Sequence, residues 1–217
     1  MIDRAVCAEA VGSFFLFATV IGSGIMAANL SQGNLAIALL GNTMATAAML
    51  FVLIAMLGPV SGAHFNPAVS LVAAWRGELS VRLLFAYISA QLLFGIMGVW
   101  AAHLMFDMPV LQLSTTARTG LGQWLAEAIA TFGLILTILG TVRHRAEWVP
   151  ASVALYITAA YWFTSSTSFA NPAITIARSL TDSFSGIAPF DVPMFLLAQM
   201  VGAACAAAAA RFLFDKV

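Results

Sequence analysis

Apolar residues along this chain come in long stretches without the alternation of strands and without the one-sided stripe of a surface helix. No Asp, Glu, Lys or Arg occurs between Glu9 and Arg76, a run of 66 residues. Further uncharged runs cover 83–106, 128–142, 148–177 and 192–210. A helix that crosses a bilayer needs about 20 predominantly apolar residues. The runs predict spanning helices near 7–28, 35–57, 81–105, 121–142, 148–166 and 192–214. The short alternating segments of a membrane β-barrel are absent, and a helical bundle satisfies its own backbone in lipid. Arg4 followed by an apolar run resembles a leader peptide. That run is too long for one and carries Glu9 at its start, so it is read as a retained first span.

Composition agrees with this pattern. Of 217 residues, 62% are hydrophobic and 8% charged, against roughly 25% charged in a soluble domain. Nine Lys/Arg balance nine Asp/Glu, so no basic footprint points to nucleic acid. Cys7 and Cys205 make neither a metal-ligand pattern nor a disulfide framework. His103 and His144 fall at a span end and in a loop and form no metal set, and no nucleophile–base pair or metal cluster suggests an enzyme or a bound cofactor.

Two apolar stretches, 58–76 and 167–182, are too short and too polar to cross. One contains Phe65-Asn66-Pro67-Ala68 and the other Phe169-Ala170-Asn171-Pro172-Ala173, 105 residues apart. Other landmarks recur. Ala8-Glu9-Ala10 is matched by Ala126-Glu127-Ala128, and Ala90-Gln91 by Ala198-Gln199. The chain reads as one domain over 1–217, built from repeats near 1–106 and 118–217. Each repeat has three spans, so the second enters the membrane from the opposite face and the repeat is inverted. Arg4, Arg76, Arg82, Arg143, Arg145, Arg211 and Lys216 fall on one side, Arg118 and Arg178 on the other. The positive-inside rule places both termini in the cytoplasm.

Asn is a strong N-cap and Pro a favoured first helical residue. Asn66 and Asn171 therefore each begin a short helix, with extended chain over 58–65 and 167–170 before it. The carbonyls of Gly62, Ala63 and His64 and of Thr167, Ser168 and Phe169 would form a ladder of acceptors. Two half-helices meeting head to head bring two positive dipole ends together, each near +0.5 charge. That point repels cations and can hydrogen-bond a neutral hydroxylic solute. Glu9 and Glu127 have two readings, as a proton relay or as braces accepting hydrogen bonds from the extended segments; matched positions in both repeats favour the brace.

On Ser61-Gly-Ala-His-Phe-Asn-Pro-Ala-Val69, Asn171-Pro-Ala173, and Glu9, Gln91, Glu127 and Gln199, the chain resembles the aquaporin, or major intrinsic protein, family over its whole length. The resemblance implies an all-α membrane bundle of six spanning helices and two re-entrant half-helices, assembled as a homotetramer with a pore in each subunit. Members usually carry Arg directly after the second Asn-Pro-Ala; here Ile174 stands there. Carrying over the other filter positions by spacing gives Thr46, Ala159 and Ser168, a set of small or aliphatic residues. The pattern is similar to a bacterial subgroup associated with arsenic resistance. It implies a plasma-membrane channel for arsenite, antimonite and small polyols such as glycerol, with some water.

Arg178, one helical turn beyond Ile174, either hangs over the outer vestibule or pairs with Asp182 or loop carbonyls. A water-selective channel and a small inverted-repeat secondary transporter stand as alternatives.

Overall fold

The computed structural model describes residues 3–214; Lys216, counted above in the charge asymmetry, lies outside the described residues. Eight α-helices follow one another: α1 (Arg4–Leu30), α2 (Leu35–Ser61), α3 (Pro67–Trp75), α4 (Val81–Met105), α5 (Leu121–Arg145), α6 (Val149–Phe163), α7 (Pro172–Arg178) and α8 (Val192–Phe214). No strand occurs among the described residues. Five stretches are long and apolar enough to cross a membrane, and the one over Leu121–Phe163 is 43 residues long. A 3₁₀ turn at Ala146–Trp148 divides it into α5 and α6, which makes six crossings. With that turn, the 15 residues of α6 reach about 28 Å, close to the hydrocarbon thickness of about 30 Å. At nine and seven residues, α3 and α7 are each about 10–14 Å long and cannot cross.

Local sequence explains the helix ends. Asp3 Oδ1 accepts from Ala5 N at 2.9 Å, Asn34 Oδ1 from Ala36 N and Ile37 N at 3.0 and 3.2 Å, and Ser80 Oγ from Leu83 N at 3.3 Å. One expected boundary is corrected. Residues 58–61 are the last turn of α2, so the extended segment is only 62–65. Pro59 lies inside this turn without ending it. Gly62 ends it instead, with a left-handed φ of 85° and its N–H on the Gly58 carbonyl, the conformation glycine adopts at least cost.

The helices pack by halves. α1 lies along α4, α5 along α8, and α2 and α6 join the two pairs. The close approach rests on small residues. At Gly98 a methyl group would collide with the Phe14 carbonyl of α1, and at Gly202 with the Ala128 carbonyl of α5. In lipid, where the surroundings are as apolar as the interface, such close packing supplies much of the association energy. The 106–120 connection lies against the 179–191 segment. Ser114 N donates to the Ser179 carbonyl at 2.9 Å and Ala188 N to the Thr116 carbonyl at 2.7 Å. Buried His103 at the end of α4 pins both, touching the Val110 carbonyl at 2.9 Å and Thr181 Oγ1 at 2.8 Å.

Gly98→Ala and Gly202→Ala are each expected to destabilise the fold by about 1–3 kcal/mol, since backbone must move to admit the methyl. Gly122→Ala, with open space around it, is expected to be neutral. Detergent-unfolding titrations of the three variants check this; equal midpoints for all three would refute the close-packing account.

Candidate functional site

The site begins with two asparagines, each used at both ends. Asn66 Oδ1 caps α3 by accepting from Ala68 N at 2.9 Å, and Asn171 Oδ1 caps α7 by accepting from Ala173 N at 3.0 Å and Ile174 N at 3.3 Å. Each amide then reaches across. Asn66 Nδ2 donates to the Ala170 carbonyl and Asn171 Nδ2 to the Phe65 carbonyl, both at 2.8 Å. The bonds are reciprocal, so the two short helices meet N-terminus to N-terminus. A primary amide has two hydrogens, and each asparagine lines the cavity described below, where the second hydrogen remains for a solute. Pro67, Ala68, Pro172 and Ala173 are buried behind this junction and shape the helix starts.

The segments entering the junction have unusual backbones. Gly62, Ala63 and Phe65 have φ of 85°, 51° and 48°; Thr167, Ser168 and Ala170, 105 positions on, have 63°, 52° and 46°. For non-glycine residues this region costs about 1–2 kcal/mol each. Two buried glutamates hold it in place. Glu9 accepts from His64 N at 2.9 Å, Phe65 N at 2.7 Å, Ser61 Oγ at 2.7 Å and Gln91 Nε2 at 2.8 Å. Glu127 accepts from Phe169 N at 2.8 Å, Ala170 N at 2.9 Å and Gln199 Nε2 at 2.6 Å. Gln91 also donates to Ser70 Oγ, which donates to the Asn66 carbonyl; Gln199 donates to Thr175 Oγ1, which donates to the Asn171 carbonyl. Each carboxylate is thus an acceptor for backbone N–H groups that the strained turn would otherwise leave unpaired in a dry interior. His64 adds a brace of its own through Nδ1 to Ser70 Oγ at 3.0 Å.

The left-handed turns aim carbonyls away from the protein. Among the described residues no donor reaches the carbonyls of Gly62, Ala63, His64, Thr167, Ser168 or Phe169, whereas those of Phe65 and Ala170 are taken by the asparagines. A cavity of about 500 Å³ passes these groups. It runs from Arg76, Glu78 and Arg143 at one end, past Asn66 and Asn171, to Ser168 and Arg178 at the other. Gly62, Ala63, His64, Ser168 and Phe169 line it; Thr167 does not. Aliphatic side chains that include Leu16, Val20, Leu50, Ile54 and Leu134 line the same cavity.

The filter positions divide. Thr46, Ser168 and Ile174 line the cavity, and all three are buried. Ala159 does not; it is exposed on the outside of α6. The cavity stripe of α6 is Val149, Val153, Ile157 and Tyr161. Ala159 is two residues from both Ile157 and Tyr161, hence about 200° around the helix from either. The expectation of a wholly small or aliphatic filter is corrected with it, because the Tyr161 hydroxyl donates to Thr46 Oγ1 at 3.5 Å. The four-residue spacing of the α6 stripe was readable in sequence.

Arg178 is also settled against one expectation. It makes no pair with Asp182, whose carboxylate accepts from Thr115 N at 2.9 Å and Oγ1 at 3.0 Å. Instead Arg178 Nε donates to the Ser185 carbonyl, and the guanidinium lies over the Phe169 ring, 3.4 Å from its centroid. Arg118, which served in sequence only to orient the chain, approaches the same ring at 5.0 Å. It is anchored by Asp191 Oδ2 on its N–H at 2.7 Å, and through its side chain by the Gly186 carbonyl at 2.7 Å and the Ser166 carbonyl at 3.3 Å. Burial in this loop pulls the Arg118 guanidinium below the ordinary arginine range, while Glu127 acts in the opposite sense.

Six crossing helices, two head-to-head half-helices and a cavity threading their junction define an integral membrane protein of channel type. The family model for Major intrinsic protein matches residues 1–165. Aquaglyceroporin AqpS of Rhizobium meliloti (strain 1021) is 55% identical over 214 residues, 99% of this chain and 91% of that protein. Aquaporin AqpM of Methanothermobacter thermautotrophicus is 30% identical over 241 aligned residues, 96% of each. The X-ray structure of the aquaglyceroporin from Plasmodium falciparum superposes with a TM-score of 0.67 at 20% identity, over 94% of this chain and 93% of that one. At that identity the superposition speaks for the fold alone. The chain belongs to the major intrinsic protein family, whose aquaglyceroporins are channels and not enzymes.

Glu127→Ala strands the N–H groups of Phe169 and Ala170. At about 1–3 kcal/mol for each buried donor left unpaired, it is expected to lower stability by about 2–6 kcal/mol. Glu9→Ala is expected to do the same through His64 and Phe65. Loss of the folded fraction in a detergent-unfolding titration measures both; wild-type midpoints would contradict the bracing role.

Proposed function

We propose that this protein is a passive channel for small neutral solutes, chiefly metalloid trihydroxides such as arsenite and antimonite and small polyols such as glycerol, with some water passing as well. The observation that carries this reading is the mixed lining. The unpaired carbonyls of Gly62, Ala63, His64 and Ser168 and the amides of Asn66 and Asn171 share the cavity with Leu16, Val20, Leu50, Ile54 and Leu134. A polyol or a pyramidal trihydroxide has hydroxyls to exchange for water on the polar groups and bulk to place against the aliphatic ones. Ile174 leaves the position after the second motif aliphatic, while Thr46 and Tyr161 supply hydroxyls beside it. The name of the 55%-identical relative, an aquaglyceroporin, supports the same solute class.

Two features weigh against a coupled transporter. Glu9 and Glu127 are engaged by backbone N–H groups and by Gln91 and Gln199, and neither lines the cavity. A relay carboxylate needs an open face toward its proton path. The positive ends of α3 and α7 at the junction also disfavour cations. The Lys/Arg asymmetry and the family's assembly support a homotetramer in a bacterial plasma membrane with both termini cytoplasmic.

The test is a flux comparison of water, glycerol and arsenite in the same proteoliposomes. All three are expected to move down their gradients, with rates indifferent to an imposed sodium or proton gradient. Water flux alone would establish a water-selective channel, and gradient-driven uptake a transporter. Within the same assay, Ile157→Trp is expected to cut glycerol and arsenite flux about tenfold or more by filling the cavity, while Ala159→Leu leaves them unchanged. The reverse outcome would restore Ala159 to the filter.

A further inference from the structure

Near its Ser168 end the cavity has one ionisable side chain other than Tyr161, and no acid answers it. Arg178 is 3% exposed and lines the cavity from the last turn of α7. Its N–H bond at Nε goes to the Ser185 carbonyl. The ion pairs among the described residues are Arg76–Glu78 and Arg145–Glu147, and Arg178 is in neither. The acids that could approach it are committed elsewhere. Asp182 is held by Thr115, Asp191 by Arg118 N, and Glu127 by the Phe169 and Ala170 N–H groups. Among the described residues no acceptor takes a hydrogen from either Nη nitrogen of Arg178. A guanidinium carries five N–H bonds, four of them on those two nitrogens. Burying a cation without acceptors is costly, so the cavity contents must supply them.

We propose that Arg178 is a solute-facing, selectivity-determining residue of this channel, its Nη groups donating to the hydroxyls of the passing solute beside Ile174, Thr46 and Tyr161. The inference rests on the channel reading above and deepens it. Helical side chains lean toward the N-terminus of their helix, which carries the Arg178 head back toward Ile174, one turn earlier. The head is fixed from two sides. The Phe169 ring lies under it and is itself flanked by Phe195 at 5.2 Å and by Arg118. Ser185, which supplies the carbonyl, is clamped to α1. Its Oγ donates to the Val20 carbonyl at 3.3 Å, Asn42 Nδ2 reaches the same carbonyl at 2.9 Å, and Gly24 leaves the room, since a methyl there would collide with Ser185 Oγ. Phe169, Ser185 and Arg118 are positioning residues for this cation.

The experiment measures glycerol and water permeability in proteoliposomes of wild type, Arg178→Gln and Arg178→Lys, with folded yield recorded for each. Gln keeps a donor for the Ser185 carbonyl but removes the charge and the free N–H array. It is expected to lower the glycerol-to-water ratio roughly tenfold, the scale of one hydrogen bond to a charged group, because the solute with three hydroxyls loses the charged donors that replace its water. Lys, which keeps the charge and three donors but lacks the planar fork of the guanidinium, is expected to shift the ratio in the same direction by a smaller factor. A ratio within about twofold of wild type in the folded variants, with or without lower yield, overturns the proposal and leaves Arg178 a purely structural tie to Ser185. If Gln does not fold, the Lys ratio alone decides. Wild-type vesicles that pass neither solute would remove the channel reading itself, a distinct result.

Discussion

Everything in this molecule that bears on transport depends on one reciprocal contact. Asn66 hydrogen-bonds the backbone that precedes Asn171, and Asn171 the backbone that precedes Asn66, both at 2.8 Å. Neither half-helix could hold its place alone. α3 and α7 are nine and seven residues long, below the length at which an isolated helix is stable. Joined at their N-termini, each caps itself and anchors the other. Their dipoles then oppose at a single point beside the cavity, which is the electrostatic condition for passing neutral molecules and refusing cations.

The junction imposes a constraint that the rest of the bundle meets. Chain must enter each half-helix through a left-handed turn, with its carbonyls facing a cavity and its N–H groups facing the core. The core answers with a carboxylate in each half, Glu9 on α1 and Glu127 on α5, each oriented by a glutamine from the helix packed alongside. Those glutamines can reach because Gly98 and Gly202 let α4 and α8 approach α1 and α5 at backbone contact. Small residues, buried acids and strained turns therefore belong to one arrangement, repeated twice.

Much of this was legible in the sequence, for physical reasons. Asn-Pro-Ala states a cap, a first helical residue and a helix start in three letters, and an uncharged run measures its own span. The matched Glu and Gln positions gave the braces because an acid in lipid demands donors. What was lost lay in relations between segments. The chain was expected to be extended from 58 onward, yet α2 runs through Pro59 to Ser61 and is closed by Gly62, where a positive φ is needed. Ala159 was placed by counting from a motif on another element, and a two-residue offset turned it about 200° away from Ile157 and Tyr161. Arg178 and Arg118 converge on Phe169 only after the 106–120 connection folds against 179–191, a pairing that no local pattern encodes. The cavity lining there is accordingly more polar than the four carried-over positions suggested, since Tyr161 stands in it and Ala159 does not.

The central claim is that the two half-helices hold each other through the asparagine pair. A double-mutant cycle of Asn66→Ala and Asn171→Ala, read as detergent-unfolding free energies, tests it most directly. Residues in one hydrogen-bond network couple by about 0.5–3 kcal/mol. Each single substitution is expected to cost nearly as much as the double, since either one opens the junction. Strict additivity, with each asparagine contributing only the cap of its own helix, would contradict the account.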